Sequence, residues 1–199
     1  MVYAFLKCLY KCLFKLTGGI EVSGQNQIPP KGPFVLVANH QSLIDPLVLM
    51  VCIPRKITFL AAAYVFKIPL IGVLVRTVGA LPVNSPRGYL KSVRQSLSQL
   101  SKGGVIGVFP KGGVSLDGQL KPFLPGWAYL ASKARVPAIP VAISGTRQVL
   151  PVGKYVPCRD RIRVSIGEPF PPVDDLKLSR HDIEELNEKM EKTISLLLD

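Results

Sequence analysis

Acidic side chains are scarce over most of this sequence. Residues 1–163 carry 21 Lys+Arg against 4 Asp+Glu, whereas residues 164–199 carry 4 against 9. The formal net charge of +12 over 199 residues therefore sits on the body of the chain. Such an excess favours polyanionic partners: nucleic acid, an anionic membrane face or phosphorylated substrates. Aromatic residues are few as well, 8% of the chain, and no run of Lys or Arg exceeds two. Modules that grip nucleic acid interleave basic residues with stacking aromatics, so a nucleic-acid partner is not expected. There are only two histidines, His40 and His181. The four cysteines, Cys8, Cys12, Cys52 and Cys158, form no Cys-x-x-Cys pair and stand at no metal-ligand spacing from the histidines. No metal site is expected, and the thiols read as reduced in a cytosolic compartment. No Gly-x-Gly-x-x-Gly follows a strand and no Walker-type loop is present, which removes the usual reasons to expect a nucleotide cofactor. Uninterrupted apolar runs long enough to span a bilayer are missing too: Lys67 and Arg76 break residues 64–77, and three lysines break residues 2–17. No small-residue cleavage site follows the N-terminal apolar stretch, so a cleaved signal peptide is not expected.

What is present is oily. The chain is 48% hydrophobic, with a mean hydropathy of +0.30, and its length suits one domain with a substantial core. Residues 2–17 read as a helix stopped by Gly18-Gly19, with Lys7, Lys11 and Lys15 recurring every four residues in an otherwise apolar segment. That pattern suits a helix lying in a membrane interface, with lysines toward anionic headgroups; it also suits a helix packed on the protein's own core. Beyond it, strands are expected over residues 20–23, 35–38, 56–62, 79–83, 105–109, 138–143 and 159–166, the last alternating as a sheet edge does. Helices are expected over residues 46–52, 64–77 (broken near Pro69), 89–102, 127–135 and 179–198. Ser179 and Asp182 are set to cap the last of these, and His181 sits on its surface. Residues 110–126 form a long Gly/Pro loop of the kind that is usually functional. Strands alternating with helices predict a single α/β domain, with a mostly parallel central sheet flanked by helices.

The chemistry gathers at strand ends, beginning with Asn39-His40-Gln41-Ser42-Leu43-Ile44-Asp45-Pro46. An apolar run precedes it, and Asp45-Pro46 reads as a helix start with Asp45 as N-cap. In a regular helix, residues five apart point about 140° away from each other, so His40 and Asp45 meet only if the segment between them is not helical. A carboxylate on one imidazole nitrogen fixes the tautomer and leaves the other as a base.

Four segments in order make the chain resemble the glycerolipid acyltransferase family, whose best-known members are the 1-acylglycerol-3-phosphate (lysophosphatidate) acyltransferases. The family's first block, Asn-His-x4-Asp, is complete in Asn39-His40 through Asp45. Its third block corresponds to Phe109-Pro110-Lys111-Gly112-Gly113-Val114-Ser115, continuing through Asp117-Gly118, Lys121-Pro122-Phe123 and Gly126. The fourth resembles Val136-Pro137-Ala138-Ile139-Pro140-Val141. The resemblance spans roughly residues 25–150. It implies transfer of a fatty acyl group from an acyl thioester, on acyl-CoA or acyl carrier protein, to a lysophospholipid hydroxyl in phospholipid biosynthesis, with no other cofactor. It makes His40 the general base and Asp45 its orienter, with Asn39, Arg87, Lys111, Gly112, Gly113 and Ser115 as substrate-binding candidates. Backbone amides at Gly112-Gly113 are candidate oxyanion donors. Residues 1–19 then read as an amphipathic membrane-associating helix and 20–199 as the acyltransferase domain. The expected localisation is a peripheral or monotopic protein on the cytoplasmic face of a membrane with anionic lipids.

The departures are specific. Ser85 stands where the family's second block carries an arginine, and Arg87 is the nearest replacement. Lys111 stands where a glutamate is usual, and Val114 where an arginine is usual. Either Lys111 and Arg87 supply a transposed cation for the acceptor's phosphate, or the acceptor differs from lysophosphatidate, or the scaffold binds lipid without turnover. Lysine and arginine hold phosphate with different geometry.

Overall fold

A computed structural model describes residues 2–69, 71–83, 87–113, 123–151, 153–154, 156–172 and 179–198, the side chains of residues 74 and 87–89 excepted. The elements run α1 (Val2–Leu16), β1 (Ile20–Ser23), β2 (Phe34–Ala38), α2 (Asp45–Cys52), β3 (Ile57–Ala62), α3 (Ile71–Thr77), β4 (Leu81–Val83) and α4 (Arg87–Ser101). They continue with β5 (Val105–Val108), α5 (Gly126–Ala134), β6 (Ala138–Ser144), α6 (Thr146–Val149), β7 (Ile162–Ile166) and α7 (Arg180–Leu196). The strands form one sheet in the order β1-β7-β6-β2-β5-β3-β4. Every neighbouring pair is parallel except β6 with β7.

The sheet follows from burial on both faces. A parallel sheet is sandwiched by its own crossover helices, so its strands read as continuous apolar runs; all five residues of β2 are buried. Phe34, Leu36 and Ala38 join Ile57, Phe59, Val105, Ile139, Val141, Ile143, Val48 and Leu49 on the face covered by α2 and α1. Val35, Val37, Ile106 and Ala142 meet Trp127, Leu130, Met190 and Ile194 from α5 and α7 on the other. The capping box of α7 is formed as expected, Ser179 accepting from the Asp182 amide and Asp182 from the Ser179 amide.

Two expectations need correcting, that β7 is an edge and that the α1 lysines act together. Strand β7 is not an edge: it lies between β1 and β6, and β1 is the outer strand. Its alternation arises because Ile162, Val164 and Ile166 are buried while Arg163 points to solvent. The run from residue 64 is broken near Pro69 as expected, its first part a 3-10 helix, Ala63–Lys67, and its second α3. The lysines of α1 do not share one role. Tyr3, Leu6, Tyr10 and Phe14 face the protein, and Lys7 lies with them, its ammonium donating to the Ile53 carbonyl just beyond α2. Burial lowers the Lys7 pKa. Lys11 and Lys15 are exposed, and so are Val2, Phe5, Leu9, Leu13 and Leu16 on the outward side. Thus α1 has apolar residues on two faces. Among the described residues, no helix is long and apolar enough to cross a membrane. Burial pushes the thiol of Cys52, the last residue of α2, up to about 12, which fits a packing role.

Candidate active site

The chain leaves β2 at Ala38 and must turn from strand to helix within six residues. Asn39 anchors the start: its amide nitrogen donates to the Ile143 carbonyl at 2.8 Å and its oxygen accepts from the Ile143 amide at 2.7 Å. The side chain thereby extends the pairing of β2 with β6 by one more rung. Asn39 is buried and both its polar groups are engaged, so it is not a substrate ligand as expected but a clamp on the loop. Ser42 supplies a second clamp, its hydroxyl donating to the Leu150 carbonyl at 2.8 Å.

Between these anchors the loop folds around one carboxylate oxygen. Asp45 Oδ2 accepts from the Gln41 amide at 2.6 Å and the Ser42 amide at 2.8 Å, and lies 2.8 Å from His40 Nδ1. Asp45 is the first residue of α2 rather than its N-cap, a position taken by Ile44. The carboxylate turns back to the loop's amides instead of capping the helix, because those donors and the imidazole lie on its N-terminal side. Asp45 is fully buried, and its other oxygen, Oδ1, has no described partner. A carboxylate can only accept, so Nδ1 carries the proton and Nε2 bears the lone pair. The His40 side chain remains 14% exposed.

An aromatic row lies behind the imidazole. The Phe109 ring stacks on His40 with centroids 4.2 Å apart, and Phe59 stacks on Phe109 at 5.7 Å. Gly107 makes room for it. Gly107 is paired in register with Phe59, and a Cβ there would lie 2.6 Å from the Phe59 ring. Neither Ser42 nor Phe109 stood out from sequence as a positioning residue; the only local signal is that Phe109 opens the third block. Phe109→Leu is expected to lower kcat about fivefold, the value of one aromatic pair, with the acceptor KM unchanged. Phe109→Tyr keeps the ring and should restore most of the rate, which steady-state kinetics on the two variants will check.

The third block continues from Phe109. Lys111 and Gly113 are half-buried. Gly112 takes a left-handed φ of 72° and its amide donates to the Phe109 carbonyl at 3.1 Å. That amide is committed to the turn, so it is not the oxyanion donor the sequence suggested. Among the described residues, a Cβ at Gly113 would meet nothing within 4 Å. Arg87 is the first residue of α4, directly after β4; its side chain, with Ser85, Val114 and Ser115, lies outside what is described. The described site residues thus gather beyond the carboxyl ends of β2 and β5, where open α/β sheets bind ligands. No group of three or more described His, Cys, Asp or Glu residues could hold a metal ion.

Fold and site together define a class: an α/β protein that presents a carboxylate-oriented imidazole at the carboxyl edge of a parallel sheet. The chain belongs to the acyltransferase family, whose model, described as "Acyltransferase", matches residues 19–144. It is 30% identical over 154 residues to a chloroplastic 1-acyl-sn-glycerol-3-phosphate acyltransferase of Brassica napus, covering 75% of this chain and 44% of that one. It is 26% identical over 174 residues to the 1-acyl-sn-glycerol-3-phosphate acyltransferase of Bacillus subtilis, covering 87% and 84%. The chain thus spans less than half of the chloroplastic relative and most of the bacterial one. The crystal structure of the 1-acyl-sn-glycerophosphate (LPA) acyltransferase PlsC from Thermotoga maritima superposes with a TM-score of 0.80 at 26% identity, covering 98% of this chain and 79% of that one.

Proposed function

We propose that this protein transfers an acyl group from a thioester to the free hydroxyl of 1-acylglycerol-3-phosphate, giving phosphatidic acid, with His40 as general base and Asp45 as its orienter. The observation that carries the reading is the 2.8 Å contact between His40 Nδ1 and the buried Asp45 carboxylate. It leaves Nε2, the ring's other nitrogen, as the proton acceptor. A hydroxyl is a poor nucleophile near neutral pH, and a positioned imidazole removes its proton as the new C–O bond forms. The tetrahedral oxyanion then collapses, the C–S bond breaks, and the thiolate recovers the proton from His40 Nε2. The products are an ester and a free thiol, and His40 ends neutral. No serine or cysteine nucleophile is needed. The relatives' names support the acceptor. To Lys111, two residues after the ring that stacks on His40, we assign the acceptor's phosphate. Acyl-CoA and acyl carrier protein both present the required thioester.

A labelled acyl thioester offered with a panel of lysolipids tests this. Phosphate-bearing acceptors should be used well ahead of neutral ones, and Lys111→Ala should raise the KM for lysophosphatidate about tenfold, the value of one charge-assisted contact. Equal use of a neutral acceptor, with no effect of Lys111→Ala, overturns the acceptor assignment.

The acceptor lives in a bilayer, and the outward face of α1 suits one. Phe5 is 67% and Leu16 76% exposed, with Val2, Leu9 and Leu13 on the same side, while Lys11 and Lys15 are exposed elsewhere around the helix. We read this face as docking on an anionic membrane surface, apolar side chains in the acyl boundary and the two lysines at headgroups. Phe5→Asp with Leu9→Asp leaves the inward face of α1 intact. The pair should weaken binding to anionic vesicles more than tenfold in a flotation assay, since each buried side chain of this size is worth about 2 kcal/mol.

A further inference from the structure

A second basic site lies on the same edge of the sheet as His40. Beyond β3 and β4, an open cleft of about 500 Å³ is lined by Ala63, Tyr64, Phe66, Lys67, Arg76 and Pro82. Both charged residues in this lining are cations, and the sequence carries no Asp or Glu between Asp45 and Asp117. Arg76 is held in place: its Nη2 donates to the Phe66 carbonyl at 2.7 Å and its guanidinium lies 5.8 Å from the centre of the Phe66 ring. Gly72 makes that arrangement possible, because a Cβ there would come within 2.4 Å of the same Phe66 carbonyl oxygen. A fixed guanidinium beside a lysine, with no carboxylate among the described lining residues, is chemistry that takes a phosphate.

Position decides which phosphate. From β2 the sheet runs through β5 and β3 to β4. The aromatic row follows that path from His40 through Phe109 to Phe59 on β3. With neighbouring strands about 4.8 Å apart, the cleft lies roughly 10–15 Å from His40. The acceptor cannot bridge that gap, because its hydroxyl and its phosphate sit on neighbouring glycerol carbons. The donor can. Its reacting thioester is joined to its first phosphate by the long pantetheine arm, in coenzyme A and in a carrier protein alike.

We propose that the Lys67/Arg76 cleft binds the phosphate at the head of the donor's phosphopantetheine arm, while Lys111 serves the acceptor. The proposal rests on the acyl-transfer reading above and assigns that reaction's donor a seat. It makes the cleft responsible for donor KM and leaves chemistry at His40 untouched.

The test compares acyl-phosphopantetheine with acyl-pantetheine, which lacks the phosphate, on the wild-type protein and on Lys67→Ala. The wild type should show a KM about tenfold lower for the phosphorylated donor, and Lys67→Ala should lose most of that preference, with kcat and acceptor KM unchanged. Arg76→Lys keeps the charge but not the planar fork, and should fall between the two. Acyl-CoA and an acyl carrier protein, run in parallel, should both be weakened by Lys67→Ala. A preference that survives Lys67→Ala overturns the proposal, and so does a rise in acceptor KM in place of donor KM. Calorimetric titration of the wild type and Lys67→Ala with coenzyme A separates this result from a failure of the acyl-transfer reading. A chain that turned over no thioester should still bind coenzyme A about tenfold more weakly in the variant. Equal affinities, or lost binding to anionic vesicles with coenzyme A binding intact, assign the cleft away from the donor.

Discussion

His40→Ala is expected to lower thioester turnover by a factor of about 10²–10⁴, the usual share of a positioned general base. The effect belongs to kcat. The imidazole contributes a proton acceptor, so the KM values for donor and acceptor should move little. The fold should survive the change. Asp45 Oδ2 keeps the Gln41 and Ser42 amides as donors when the imidazole is gone, so the carboxylate is not stranded. Asn39 and Ser42 still pin the loop to Ile143 and Leu150. The expected loss is the Phe109 stack and one hydrogen bond, about 1–2 kcal/mol together. Two controls sharpen the measurement. His181, exposed in the first turn of α7, should be replaceable by alanine without effect. Imidazole added to the buffer should partly restore His40→Ala by occupying the space against Phe109. A His40→Ala protein that keeps its fold and turns over acyl thioester at the wild-type rate would remove the base assignment.

The sequence pointed to the pairing of His40 with Asp45, which lie in contact, but not to what supports it. The strand before His40 could be read because both faces of β2 are buried, which leaves an apolar run with no alternation. The helix start at Asp45-Pro46 could be read because proline suits the first turn of a helix, although Asp45 is itself helical and Ile44 is the cap. The function of Asn39 could not. Beside a candidate base an asparagine reads as a ligand, and its real partner, Ile143, is 104 residues away. The stack on His40 was hidden for the same reason, since Phe59, Gly107 and Phe109 meet only through the register of β3 on β5. Strand β7 shows the limit of periodicity. Alternation reports that one face of a strand is solvated, which holds for an edge strand and for an inner strand uncovered on one side. In α1 the apolar positions almost encircle the helix, and only the packing of Tyr3, Leu6, Tyr10 and Phe14 separates the inward set from the outward one.

Asp45→Ala should be the more damaging substitution, because one oxygen does three things. It holds the Nδ1 proton of His40 and satisfies two backbone donors. Removing it leaves the Gln41 and Ser42 amides without that acceptor; Ser42 is itself buried. Each buried donor left unmet costs about 1–3 kcal/mol, so a loss of about 3 kcal/mol in denaturant unfolding is expected, together with a fall in kcat at least as large as that of His40→Ala. Asp45→Asn separates the two roles. With the amide oxygen in the place of Oδ2, all three donors keep an acceptor, and the amide nitrogen falls where Oδ1 is buried without a described partner. The fold should therefore be retained, at a cost of about 1–3 kcal/mol for the amide nitrogen buried there. The negative charge is gone, and with it the group that stabilises the imidazolium as the proton arrives. Turnover of Asp45→Asn should fall about 10²-fold or more, since that charge acts only once His40 is protonated. If Asp45 were only a loop staple, Asp45→Asn would keep both fold and rate. A fold retained with rate lost is the result that marks it as the orienter of His40.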